Sequence, residues 1–258
     1  WDALNEVYQL SLLEKRKGNL QKAEEILEKV MGKAGTDLNL QILSELANIQ
    51  MLQEQWADSE KYLHQITEQF PGSKDIPDVY LKLGFVNFNM SRFEESIECF
   101  KKTLNMPAAE DIKERGYFGL GYTYYAKKQY EDSIKTWNQL LMEFPDSKFE
   151  HEILFFTGKN YYESGDYPNA EKYFRQLVTK FPKSSFYTVA CQMLIESLLK
   201  QGKLNESMRT CEGFFSSGAE TNETISFLYG KTMYLLKDFR KAKEILEKLQ
   251  NVNPAEDV

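Results

Sequence analysis

The chain has 258 residues, 42% of them apolar and 14% aromatic, which is ample for an extended core. Its mean hydropathy is -0.53, and no apolar run approaches the roughly 18 residues that a membrane-spanning helix needs, so no membrane span is expected. A net charge of -7 argues against nucleic acid as a partner, because phosphate binding needs a clustered Lys/Arg face. The charges read instead as a solvated outer surface.

In chain order, the same helical pattern returns seven times. Its second half opens on a small residue each time: Ala23, Ser59, Ser96, Ser133, Ala170, Ser207 and Ala242, at successive gaps of 36, 37, 37, 37, 37 and 35. A period in this range without strand signals is that of a solenoid, in which each unit stacks on its neighbours. The expected copies cover 4–37, 40–73, 77–110, 114–147, 151–184, 188–221 and 223–256. Nothing in the composition marks a linker, so one continuous domain over 1–258 is expected.

Each copy reads as a helical hairpin. Small residues where its two helices cross, Gly84, Gly121, Gly158 and Gly230 on the first and Ser96, Ser133, Ala170 and Ala242 on the second, let the backbones approach. Apolar residues at three- and four-residue steps, as in Tyr117, Leu120 and Tyr124, seal the hairpin. The links Lys17-Gly18-Asn19, Ser164-Gly165-Asp166 and Gln201-Gly202-Lys203 offer residues tolerant of positive φ at a helix end. Pro71, Pro145, Pro182 and Pro254 fall after second helices, where they stop a helix without breaking its interior.

Catalytic signals are not found. The two histidines, His64 and His151, lie far apart without Cys or carboxylate partners at metal-ligand spacing, and read as helix-surface residues. No phosphate-binding loop, nucleophile elbow or H-E-x-x-H is present. Carboxylate pairs such as Glu24-Glu25 and Glu94-Glu95 read as solvated charge. The expectation is a protein that is no enzyme and uses no cofactor and no metal. The chain opens on Trp1 without an initiator Met, which reads as a processed or trimmed piece. Six arginines against twenty-six lysines, with many Asn, Tyr and Phe, suggest a low-GC bacterial genome.

The fifth copy runs Leu154, Thr157, Gly158, Tyr161, Gly165, Tyr167, Ala170, Phe174, Pro182, and the fourth repeats the pattern with Tyr117, Leu120, Gly121, Tyr124, Tyr130, Ser133, Trp137 and Pro145. These offsets resemble the tetratricopeptide repeat. The resemblance implies an all-α fold, a right-handed superhelical solenoid of about seven hairpins, and a binding function. It also implies a concave face lined by first-helix residues. In successive copies these are Phe85 and Phe88 (with Leu81), then Phe118, Tyr122 and Tyr125, then Phe155, Lys159 and Tyr162, then Phe227 and Tyr234 (with Lys231). The second copy offers Ser44, Asn48 and Met51 in their place. Aromatics one repeat apart would form a trough for a peptide or helix segment of a partner protein. The other reading is that the rings bury against one another, or that a terminal segment fills the trough.

Repeat domains of this family that clamp the C-terminal carboxylate of heat-shock chaperones use Lys, Asn and Arg on this face. Here Tyr8, Leu12, Ser44, Asn48, Leu81 and Phe85 stand there, and Asn48 alone fits that pattern. The links Phe70-Pro71-Gly72-Ser73, Phe144-Pro145-Asp146-Ser147 and Phe181-Pro182-Lys183-Ser184 share an F-P-x-S element. Together with the stretch 170–203, they resemble the periplasmic tetratricopeptide proteins of the Tol-Pal coordinator type and the BamD type of outer-membrane assembly lipoprotein. That resemblance implies a periplasmic or cell-envelope location, the cytoplasm being the alternative, and a role in envelope assembly.

Of three cysteines, Cys191 and Cys211 fall on the two helices of one hairpin at facing heights. A disulfide between them is open in an oxidising compartment, against the reading of two buried thiols, while Cys99 reads as structural. The functional expectation is a scaffold or adaptor, with a regulatory or recruiting module of a larger, enzymatic chain as the alternative. Association of copies through exposed end repeats is a third reading, resting on the apolar Ile245, Leu246 and Leu249.

Overall fold

The computed structural model describes residues 2–217 and 222–252, and there the chain is all helix, in fourteen elements. In order they are α1 (Asp2–Arg16), α2 (Leu20–Val30), α3 (Thr36–Leu52), α4 (Trp56–Gln69), α5 (Ile76–Asn89), α6 (Phe93–Asn105), α7 (Glu110–Ala126), α8 (Tyr130–Glu143), α9 (Glu150–Glu163), α10 (Tyr167–Lys180), α11 (Tyr187–Lys200), α12 (Leu204–Ser216), α13 (Glu223–Leu235) and α14 (Phe239–Val252). Two helices fall in each expected copy. Trp1, Pro254 and the ends of the last two copies, at 221 and 256, lie outside the described residues. The helices form two compact units, Trp1–Gln129 with α1 to α7 and Tyr130–Val258 with α8 to α14.

The turn inside each copy has one geometry. Gly18, Glu54, Ser91, Lys128, Gly165, Gly202 and Lys237 all sit at φ between 59° and 84°. The next residue's N–H donates to a carbonyl five positions back, as in Gln55 to Gln50 (2.8 Å), Arg92 to Asn87 (2.9 Å) and Asp166 to Tyr161 (2.8 Å). This left-handed stop satisfies carbonyls that the helix end would otherwise leave open. Glycine fills three of the seven positions, and the others hold L residues in a conformation that crowds Cβ.

The F-P-x-S link is a second fixed device. In each of its three copies the Ser N–H donates to the Phe carbonyl, at 3.0 Å in Ser73, 3.1 Å in Ser147 and 3.0 Å in Ser184. The Ser Oγ then accepts the N–H of Asp75, Phe149 or Phe186, each at 3.1 Å, just ahead of the next helix. The chain is thereby turned within a few residues into the first helix of the following copy.

Packing explains the small residues. Every one of the seven that open the pattern, from Ala23 to Ala242, is buried. Phe100 of α6 is pressed between Gly84 of α5 and Gly119 of α7; a Cβ on either glycine would stand 2.6 Å or 2.5 Å from its ring. Gly158 receives Phe174 in the same way, at 2.8 Å. The crossing glycines Gly84 and Gly158 therefore make room for a ring from the second helix, and Gly230 for the Leu246 side chain. Serine adds a polar tie: Ser59 Oγ donates to Ala47 O (3.0 Å) and Ser96 Oγ to Gly84 O (2.9 Å) within a hairpin. Between copies, Ser96 meets Thr123 at 3.2 Å and Ser207 meets Thr232 at 2.8 Å.

Cys191 and Cys211 lie in one core cluster with Phe214, Ile225 and Tyr229, and both are free thiols, as is Cys99. Burial pushes the Cys191 and Cys211 thiols up to about 11 and about 12, which keeps them protonated and inert near neutral pH.

Candidate functional site

The expected trough residues divide into three environments. In the first unit they come together. The Phe88 ring lies 5.6 Å from Phe93 and 5.4 Å from Tyr122, and Tyr122 lies 6.3 Å from Phe118 and 6.0 Å from Tyr125. All of these rings are partly exposed. Phe85 meets Phe100 edge-on at 5.1 Å, and the guanidinium of Arg115 lies 6.0 Å from its ring centre.

In the second unit the pattern changes. Phe155 is buried at 7% exposure, stacked 4.6 Å from Phe186 and edge-on to Phe156 at 5.2 Å. It is core between the fifth and sixth copies, not trough lining, because Phe186 from the link after Ser184 covers it. Tyr162 is half-buried against Tyr167, and its hydroxyl donates to Glu196 at 2.9 Å. Burial first, then that carboxylate, pushes the Tyr162 phenol up to about 12. Lys159 lies 3.7 Å from Glu163. Phe227 and Tyr234 are open to solvent at 54% and 61%, with Phe239 5.4 Å from Tyr234.

One concavity is marked only in part by the sequence pattern, through Asn48, Met51 and Phe85. In the first unit a groove of about 570 Å³ is lined by Lys15, Asn48, Met51, Leu52, Trp56, Lys82, Phe85, Asn89 and Arg115. Lys15 pairs with Glu45 at 2.6 Å and Asn48 donates to the same carboxylate at 3.3 Å. Lys82 pairs with Asp78 at 2.8 Å, and Asn89 spends its amide on the Phe85 carbonyl. Among the described residues, Arg115 has no carboxylate within ion-pair distance.

Relative to the left-handed turn residue of its own copy, Lys15 lies three positions before Gly18, Asn48 six before Glu54, Lys82 nine before Ser91 and Arg115 thirteen before Lys128. The groove thus runs diagonally across the first helices. Comparison of copies at fixed offsets selects Tyr8, Leu12, Ser44, Asn48, Leu81 and Phe85 and so passes over its cations. The signal is present in the chain all the same, as a stripe of Lys15, Asn48, Lys82 and Arg115 stepping about one helical turn per copy, cationic in three of the four.

Among the described residues, no group of three or more His, Cys, Asp or Glu side chains could hold a metal ion, and no helix is long and apolar enough to cross a membrane. His64 stands 3.6 Å from Glu60 and His151 3.0 Å from Glu152, each on its own helix.

Paired helices joined by left-handed turns, a small residue at each crossing and a repeat of about 37 residues define an α-helical repeat protein. Tetratricopeptide repeat family models match residues 115–147, 154–184 and 226–255, and a second such model matches 77–109. Those four stretches of the chain are tetratricopeptide repeats. Solved structures agree in fold. The chain is similar to the C-terminal part of a tetratricopeptide repeat protein from Cytophaga hutchinsonii, with TM-score 0.78, 12% identity and coverage of 97% of this chain and 96% of that one. A signal transduction ATPase with a tetratricopeptide repeat sensor from Pyrococcus horikoshii gives TM-score 0.77 at 17% identity, over 96% of this chain and 41% of that one. A tetratricopeptide repeat protein from Parabacteroides merdae gives TM-score 0.66 at 16% identity, over 100% and 96%. No curated protein matches the sequence. Proteins of this repeat class generally mediate protein–protein interactions, and the fold is typically a non-enzymatic scaffold.

Proposed function

We propose that the chain is a non-enzymatic scaffold or adaptor that holds a peptide or helix of a partner protein against the aromatic faces of its first helices. The observation that carries this reading is the group Phe88, Phe118 and Tyr125, three partly exposed rings on α5 and α7 gathered within 5.4–6.3 Å of a fourth, Tyr122. Clustered aromatics offer large, rigid contact area, and Tyr hydroxyls add hydrogen bonds at its rim. Replacing Tyr122 and Tyr125 together with alanine is expected to abolish capture of a partner from bacterial lysate, read by mass spectrometry, while circular dichroism keeps the parent's helicity. An identical catch by parent and variant would show that the rings only pack.

The three F-P-x-S links support an envelope setting, which we infer to be periplasmic with a part in envelope assembly. Fractionation of the source cells checks this, a cytoplasmic pool being the contrary result. The second reading is a recruiting module of a larger chain. It is favoured by the Pyrococcus horikoshii ATPase, in which the matching repeats make up 41% of the protein. Association of copies through the last repeat has support in the exposure of Phe239 at 58% and Leu246 at 36%.

A further inference from the structure

We propose that the diagonal groove of the first unit is a receptor for an acidic segment of a partner protein. Arg115 takes a side-chain carboxylate, and Leu52, Trp56 and Phe85 take a large apolar side chain beside it. The proposal rests on the scaffold reading and names the chemistry of its ligand.

Shape comes first. The groove holds about 570 Å³, within the range of about 300–1,000 Å³ typical of ligand clefts. Its apolar wall is unspent, since Leu52 is 59% exposed and Trp56 is only partly covered. A leucine left that open beside an indole and a phenyl ring gains contact only when something fills the space.

Charge then selects the occupant. The chain as a whole carries -7, yet Lys15, Lys82 and Arg115 converge on this one concavity. Glu45 and Asp78 answer the two lysines, which leaves the guanidinium of Arg115 as the groove cation with no carboxylate at ion-pair distance among the described residues. It lies against the face of Phe85, partly withdrawn from water, where an ion pair is worth more than on an open surface. A guanidinium fork also fits a carboxylate with two parallel hydrogen bonds, a geometry that an amide or a basic residue does not offer. A basic segment would be repelled, and a nucleic acid would meet the negative charge of the rest of the chain.

The test uses three mixtures of short fluorescein-labelled peptides, acetylated and amidated so that neither terminus is charged. All carry Leu or Phe at fixed positions, alternating with Asp/Glu, with Asn/Gln or with Lys/Arg. Binding is read by anisotropy and by the emission of Trp56, with Trp56→Phe as the spectroscopic control. The acidic mixture is expected to bind the parent about tenfold more tightly than the amide mixture, and Arg115→Ala to erase that preference. Arg115→Lys is expected to keep part of it, and added salt to weaken it. Arg115 makes no ion pair within the described residues, so the variants are expected to fold, as circular dichroism would verify. Equal affinity of the parent for acidic and amide mixtures, no binding of any mixture, or unchanged acidic binding in Arg115→Ala would each overturn the proposal. If partner capture depends on Tyr122 and Tyr125 while peptide binding ignores Arg115, the scaffold reading stands and this one falls. If acidic binding needs Arg115 while partner capture is indifferent to the tyrosine pair, the groove stands and the aromatic-face reading falls.

Discussion

At the scale of single residues, the clearest tension is at the turn inside each copy. Seven residues adopt the left-handed conformation there, but Glu54, Ser91, Lys128 and Lys237 are L residues for which it costs roughly 1–2 kcal/mol. Glycine avoids that crowding but loses more backbone freedom on folding, by about 0.5–1 kcal/mol. The balance favours glycine slightly. Ser91→Gly is therefore expected to stabilise the protein by about 0.5–1 kcal/mol, and Gly165→Ala to destabilise it by a similar amount, both measured by urea denaturation. A loss of stability in Ser91→Gly would mean that its side chain contributes more than the turn costs. The crossing glycines obey a different constraint. No left-handed φ is involved at Gly84 or Gly158; the space for a Cβ is taken by the rings of Phe100 and Phe174.

At the scale of the helix pair, the sequence is explicit about the hairpins and silent about part of the site, for one physical reason. Packing within a hairpin repeats at constant offset, so Ala23, Ser59 and their equivalents reveal it when copies are aligned. The groove collects side chains at a different height in each copy, so the same alignment scatters Lys15, Lys82 and Arg115 among unrelated columns. Phe155 fails for the converse reason. It shares a column with Phe118, but Phe186 closes over it from the next link. Ser207 shows how small residues also act between hairpins, since its hydroxyl meets Thr232 at 2.8 Å in a fully buried position. Ser207→Ala and Thr232→Val each leave a buried hydroxyl with one partner fewer, while the double variant removes both groups. The double variant is expected to cost less than the two singles added, by about 0.5–1.5 kcal/mol in a double-mutant cycle. Strict additivity would mean that the two hydroxyls are satisfied separately, Thr232 by the Leu228 carbonyl at 2.7 Å.

At the scale of the molecule, each unit is built almost wholly from contacts between helices adjacent in sequence or one copy apart, so stability should rise with the number of neighbours a helix has. α3 and α5 have packed helices on both sides, whereas α14 packs against α13 and α1 against α2 and the edge of α3. The outer helices also keep apolar surface in water, with Leu10 and Leu13 on α1 each 47% exposed and Phe239 on α14 58% exposed. Less buried area means a smaller free energy of local opening. Native-state hydrogen exchange is expected to show amides of α1, α2 and α14 opening at the lowest free energy and those of α3, α5, α9 and α11 at the highest. A single opening free energy shared by all helices would show instead that each unit unfolds as one block. The apolar wall of the groove stands on α3, α4 and α5, which have packed helices on both sides, so Met51, Leu52, Trp56 and Phe85 would meet a ligand already positioned. The exposed rings of Phe227 and Tyr234 stand on α13, whose only following neighbour among the described helices is α14, and any partner held there should slow exchange in both helices.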